Sequence, residues 1–201
     1  MYFCFSMTSN YEPILQNVEK HIPLSEADKV FFCSLLQERR YQKKEYLLRE
    51  GNICHQLAFI TSGCVKSYLL DRKGNEHILT IAIADWWVAD YQSLVFDTPS
   101  ELFIEAVEPT TALLLTKEKR NMLFARIPPF EQYFRILTER AFAVSQQRIT
   151  DILSLPAAER YEQFLRRYHR IAGSFSQQQI ASFIGVTPAF FSRMLKSKRP
   201  S

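Results

Sequence analysis

Apolar residues recur at helical spacing near the start of the chain, at Ile14, Leu15 and Val18 and again at Val30, Phe31 and Leu35. Pro23-Leu24-Ser25 separates the two groups, and Ser25 suits the N-cap of the second of two helices between Tyr11 and Arg40. From Glu45 to Thr116 the texture changes. Short β-branched and aromatic runs take over: Tyr46-Leu47-Leu48, Leu57 to Ile60, Val65 to Leu70, His77 to Ile83, Phe103 to Val107 and Ala112 to Leu115. Glu50-Gly51, Ser62-Gly63 and the stretch from Asp71 to Asn75 punctuate them as turns. Runs this short and this close leave no room for crossover helices, so they predict an antiparallel sandwich or roll with helices beside it.

A long helix is expected next. Pro128-Pro129 fits a first helical turn, where a missing N–H is harmless, and no helix breaker follows before Pro156. Inside it Phe130, Phe134, Leu137, Ala141 and Val144 step by alternate fours and threes, the spacing of a heptad seam that ends at Arg148. We take this stripe as a dimer interface, the alternative being that it packs on the chain's own sheet. Ala157 to Ile171 reads as a further amphipathic helix carrying Tyr161, Phe164, Leu165 and Tyr168.

The sharpest local pattern runs from Ser176 to Lys196. Ser176 with Gln179 makes a capping box that fixes one helix start, and Thr187 with Pro188 marks a second. Gly185 between them supplies the permissive backbone of a tight interhelical turn. Ile180, Ala181, Phe183, Ile184, Val186, Phe191, Met194 and Leu195 are the small apolar set that would lock the pair at a fixed angle. Thr187, Pro188, Ala189, Phe190 and Arg193 are left on the outward face of the second helix, the one a helix-turn-helix lays in the major groove. Arg193 is the long donor there, suited to a guanine edge. Ser176, Gln177 and Thr187 at helix starts, with Lys196 further along, suit phosphates.

Charge strengthens this reading. Net charge is only +4, but acidic residues slightly outnumber basic ones before residue 120, and beyond it basic residues prevail more than two to one. No Asp or Glu follows Glu162, while Arg166, Arg167, Arg170, Arg193, Lys196, Lys198 and Arg199 do. A one-signed segment of this kind favours a polyanion such as double-stranded DNA, because each neutralised phosphate releases counterions. The 201 residues, 47% apolar, suffice for one large or two small cores. Cys4, Cys33, Cys54 and Cys64 form no CxxC pair and suit a reducing compartment. The apolar opening from Met1 to Met7 is too short for a secretory signal, and no run approaches the ~20 apolar residues of a membrane span, so a cytoplasmic protein is expected.

With these pieces placed, the chain resembles the Crp/Fnr family. The resemblance rests on Gln179-Ile180-Ala181, Gly185-Val186-Thr187-Pro188 and Ser192-Arg193 in the C-terminal motif. Upstream it rests on Tyr46 to Gly51, Ala58 to Gly63 and the hairpin from Asp71 to Glu76. It implies an α+β protein: an antiparallel β-roll of the cyclic-nucleotide-binding type over residues 1–125, a dimerisation helix over 126–155 and an all-α helix-turn-helix domain over 156–201. It also implies a homodimer on a two-fold operator with half-sites about one helical turn apart, RNA polymerase as a further partner, and a small-molecule effector.

Departures from the family narrow the expectation. Relatives that bind cyclic nucleotides hold ribose and phosphate with a Gly-Glu-Leu tract and an Arg-Ser/Thr-Ala tract. Here Ala89-Asp90-Tyr91 and Ser100-Glu101-Leu102 stand in those places. No Lys or Arg occurs from Gly74 to Thr116, whereas Glu76, Asp85, Asp90, Asp97, Glu101, Glu105 and Glu108 do, so cyclic AMP is not expected to bind. Trp86, Trp87, Asp90, Tyr91, Ser100 and Glu101 remain as candidate lining for another effector. Cys4 lacks the companions an iron–sulfur cluster needs, and haem ligation by His77 or Cys54 stays open. Pro188 and Ala189 replace polar base readers, and no β-wing follows the motif before Ser201, which predicts weaker or less specific DNA binding. Two other classes fit parts of the sequence. One is a dimeric effector-binding or scaffold protein whose DNA-binding end has decayed. The other is a cupin-like metal enzyme, against which stand four scattered histidines, His21, His55, His77 and His169, and the lack of GxSxG, HExxH or a phosphate loop. No catalytic residue, metal or cofactor is therefore assigned.

Overall fold

The computed structural model describes residues 8–197. Cys4 and the basic Lys198 and Arg199 lie outside the described residues. Two helices open the fold, α1 (Thr8–Glu19) and α2 (Glu26–Leu35). Ser25 caps α2 as its sequence suggested, and Asp28 answers with a carboxylate on the Ser25 amide, closing a capping box. The second helix stops at Leu35, short of the expected Arg40. Gln37–Tyr41 is strand β1, because its backbone pairs antiparallel with Thr110–Thr116, strand β8, and its Tyr41 is needed in the interior of the roll.

The remaining strands are β2 (Tyr46–Leu48), β3 (Gln56–Ser62), β4 (Cys64–Leu70), β5 (Glu76–Ile83), β6 (Trp87–Val88) and β7 (Phe103–Ala106). They form two four-stranded antiparallel sheets, in the orders β1-β8-β3-β6 and β2-β7-β4-β5. Gly63 permits the abrupt β3–β4 turn: its φ is +86°, and a Cβ there would meet the Pro109 carbonyl oxygen at 2.4 Å. Helix α3 (Tyr91–Phe96) interrupts the strands, and α4 (Lys117–Arg126) follows them. Both are additions to the sequence reading. Helix α5 (Pro129–Ser154) is the long one, followed by α6 (Ala157–Arg167), α7 (Gln177–Phe183) and α8 (Pro188–Ser197).

The inner strands β3, β4, β7 and β8 are covered on both faces, which is why they read as apolar runs, whereas the edge strand β1 is polar and mostly exposed. Alternate residues go to different cores. Leu57, Phe59, Leu113 and Leu115 face the helical layer, against Val18, Phe32, Phe130 and Tyr133. Ala58, Ile60, Ala112 and Leu114 face inward, against Val65, Ala82, Ile104 and Ala106 of the second sheet. The outer face of that second sheet carries Cys64, Tyr68, Ile78 and Ile81, and the C-terminal helices cover it with Phe164, Tyr168, Ile180 and Phe191. The resulting order of layers is helices, sheet, sheet, helices.

The first part of the apolar stripe of α5 packs within the chain, a correction to that part of the expected dimer seam. Phe130 and Phe134 are buried in the chain's own core, with Phe130 4.6 Å from the ring of Phe32 and Phe134 5.3 Å from that of Trp87, and Leu137 packs against the same cluster. Ala141 and Val144 line a trench facing the roll. Burial of two phenylalanine rings removes of the order of 150–250 Å² each from water, and the nearest apolar surface able to receive them is the roll itself. The face left open is a different one, carrying Phe142, Ile149 and Leu153 at 63%, 59% and 81% exposure.

Candidate nucleic-acid interface

Helices α7 and α8 form the capped pair that the motif predicts. Ser176 Oγ accepts from the Gln179 amide at 3.2 Å, and the Gln179 side-chain oxygen accepts from the Ser176 amide at 3.0 Å. Thr187 Oγ1 accepts from the Phe190 amide at 3.2 Å, so the second start is capped as well. Gly185 turns the chain at φ +73°. The pair is locked by Ala181 and Phe191, both fully buried, the latter edge-on to Tyr161 at 5.0 Å between ring centroids. Ser176, Gln177, Thr187, Pro188, Ala189, Phe190, Arg193 and Lys196 are all exposed. The residues singled out for contact with DNA therefore remain open to solvent, while the apolar set of the same helices is spent on packing.

This pair does not hang freely. Ser182 of α7 donates its hydroxyl to the Glu76 carbonyl at 2.7 Å and accepts from the Ile78 amide at 2.8 Å, taking the place of a neighbouring strand on the edge of β5. Arg148 of α5, mostly buried, donates to the carbonyls of Ile78, Leu79 and Phe183, and its guanidinium lies 4.6 Å from the centre of the Phe183 ring. Burial lowers its pKa below the usual arginine value. Arg160 of α6 donates to the carbonyls of Ile184, Ile152 and Leu155. Two guanidiniums thus satisfy the open carbonyl end of α7, where the helix dipole favours positive charge. At its other end the Gln179 amide reaches Glu76 at 3.3 Å. Glu76 in turn pairs with Lys66, which is 1% exposed and also lies 3.8 Å from Glu105.

The candidate effector residues separate into two groups. Trp86, Trp87 and Tyr91 line a trench of about 520 Å³ between the β5 and β6 edges of the roll, α5 and the C-terminal helices. Trp87 is held there by a chain of hydrogen bonds, donating to Tyr133 Oη at 3.0 Å, which donates to Asn17 at 2.7 Å. Asp90 and Ser100 are a correction: they line neither this trench nor the roll cavity, because they satisfy one another. Asp90 caps α3 by accepting from the Gln92 and Ser93 amides, and its second oxygen accepts from Ser100 Oγ at 2.7 Å. Glu101 is exposed and lines neither space. A second cavity of about 400 Å³ opens inside the roll against Leu47, Ala58, Val88, Ile104 and Leu114. Lys66, the buried cation on the neighbouring strand, is already matched by two carboxylates. Of the two residues considered for haem, His77 sits on Asp71 at 3.2 Å and Cys54 donates its thiol to the Gln56 carbonyl at 3.4 Å.

Residues 38–126 match the family described as the cyclic nucleotide-binding domain. Among solved structures, the chain is similar to a protein of Eubacterium rectale assigned to the Crp/Fnr family of transcriptional regulators, at 21% identity over 94% of this chain and 87% of that one, with a TM-score of 0.71. It is similar also to CLP, the c-di-GMP-responsive global regulator of Xanthomonas campestris, at 15% identity over 86% and 91% of the two chains and a TM-score of 0.69. FixK2 of Bradyrhizobium japonicum follows at 20% identity, 81% and 83% coverage, and 0.67. The chain carries the Crp/Fnr fold. No curated protein matches the sequence.

Within this Crp/Fnr fold, sequence reasoning missed the residues that join the modules: Arg148, Arg160, Ser182 and Glu76. Arg148 did carry a signal. A charge at the end of an apolar stripe, four residues after Val144, is either a solvated boundary or a buried donor, and spacing does not distinguish them. Ser182 and Glu76 gave none, since their bonds cross more than a hundred residues. Among the described residues no helix is long and apolar enough to cross a membrane, and no group of three or more His, Cys, Asp or Glu is placed to hold a metal ion.

Proposed function

We propose that this chain is a cytoplasmic, homodimeric, DNA-binding transcription regulator, with a sensor over residues 1–125, a connecting helix over 126–155 and a reading head over 156–201. The observation that carries the reading is the exposed face of α8, where Thr187, Phe190, Arg193 and Lys196 stand clear of solvent-excluded packing on a helix with a capped start. Arg193 is the base reader, and the amide ends of α7 and α8 with Lys196 hold phosphates. The twofold contact runs along Phe142, Ile149 and Leu153, which step by seven and four, as a coiled-coil seam does. RNA polymerase is the expected third partner.

Cyclic AMP is not the input. Asp90 and Ser100, which stand where cyclic-nucleotide-binding relatives hold ribose and phosphate, already complete each other's bonds, and no Lys or Arg lies between Gly74 and Thr116 to offset a phosphate there. Calorimetry with cyclic AMP is expected to give no heat of binding, and micromolar affinity refutes this part alone. The regulator reading is tested by footprinting on genomic fragments at low ionic strength: a protected two-fold site is the expected result, and a folded dimer that protects nothing overturns it. That failure would favour the second reading, an effector-binding or scaffold dimer, to which Pro188 and Ala189 on the reading helix lend their weight.

A further inference from the structure

The chain contains two tryptophans, and both line the trench where roll, α5 and the C-terminal helices meet. At about 520 Å³ the space lies within the ~300–1,000 Å³ of small-molecule sites. Its walls come from all three modules: Leu79 and the indoles from the roll, Ala141 and Val144 from α5, and Phe164 and Phe183 from the C-terminal helices. Such a wall accepts an apolar body.

Charge sets the other half of the chemistry. Three guanidiniums, Arg148, Arg160 and Arg167, face one carboxylate, Asp151. Arg148, through its two terminal nitrogens, and Arg160 donate to backbone carbonyls, which leaves the charge in place, and the Arg148 Nε–H is buried without a partner. Asp151 accepts from the Gln147 side chain at 2.8 Å. Arg167 lies over the Trp86 ring at 5.1 Å with an exposed side chain, so its fork is free to turn onto a ligand. A half-enclosed apolar trench with excess positive charge concentrates anions, and a guanidinium matches a carboxylate in a bidentate geometry.

We propose that this trench binds a small amphipathic carboxylate, with its apolar body along Trp86, Trp87, Val144 and Phe164 and its anionic head at Arg167. The proposal rests on the reading of the roll as a sensor and adds the class of ligand that the sensor takes. Phe142, which also lines the trench, is left to the twofold contact along α5.

The test titrates the full chain with decanoate below its micellar concentration and follows tryptophan emission, since every indole in the chain reports on the trench. The expected result is a saturable change with decanoate and binding of decanol, which has the same tail without the charge, weaker by roughly tenfold. Arg167→Gln brings decanoate to the affinity of decanol. Asp151→Asn, which removes the opposing charge, tightens decanoate about two- to fivefold and serves if the first variant does not fold. Equal binding of acid and alcohol, decanoate affinity unchanged in a folded Arg167→Gln, a folded Asp151→Asn that does not bind more tightly, or no saturable signal overturns the site. Footprinting without any ligand is scored separately, so a failed titration beside a protected operator sinks this site alone, and the converse sinks only the regulator reading.

Discussion

Replacing Arg148 with methionine keeps the aliphatic stem and removes a guanidinium that donates to Ile78 O at 2.8 Å, Leu79 O at 2.9 Å and Phe183 O at 2.9 Å. Hydrogen bonds from a charged donor contribute about 1.5–3 kcal/mol each, a gross loss of roughly 5–9 kcal/mol. Two effects reduce it. Leu79 is 40% exposed, so water can replace the donor there, and burial already disfavours the charged form of Arg148. A net loss of about 2–4 kcal/mol remains, and it falls on the contact between β5 and α7 rather than inside either module. Hydrogen exchange measures that contact directly: the Ile78 amide and the amides of α7 are expected to exchange about 30- to 1,000-fold faster in the variant. Calorimetry should show the C-terminal helices melting ahead of the roll. Lysine at this position rescues little, because one ammonium cannot serve three carbonyls in a planar fork. Protection in β5 and α7 within about threefold of the parent, with an unchanged melting profile, refutes the reasoning.

Other expectations can be checked singly. Gly185→Ala forces a side chain into φ +73° with its Cβ 3.3 Å from Ile152, and urea unfolding should register a loss of about 1–2 kcal/mol. Asp90→Ala removes the α3 cap and leaves the Ser100 hydroxyl without that acceptor, a cost of about 1–3 kcal/mol in a thermal melt, without creating affinity for cyclic AMP. On DNA, Lys196→Ala should lower the salt slope by about 0.9 at every sequence, whereas Arg193→Ala should cost about tenfold at the operator and little elsewhere. Burial pushes the Cys33 thiol up from 9.0 to about 11 and the Cys64 thiol to about 12, so alkylation at pH 8 should wait for unfolding. Folding holds these thiols neutral, so their contribution is complete below pH 9.0 and is lost as pH climbs from there towards 12, which a urea series across that range would display.

Local chemistry was legible in the linear chain because its causes are local. Ser25, Ser176 with Gln179, Thr187 and Gly185 each act on amides or dihedrals a few residues away, and each stands where the pattern put it. The succession of short apolar runs determined an antiparallel roll for a similar reason, since turns and run lengths restrict the connections available. Partnership was another matter. A stripe such as Phe130, Phe134 and Leu137 declares that one helix face must leave water, and the hydrophobic effect that drives it has no direction, so a second chain and the chain's own sheet satisfy it equally. Only the assembled layers placed Phe130 beside Phe32, put the outer face of β4 and β5 under the C-terminal helices, and turned Arg148 from the end of a stripe into the donor that joins three modules.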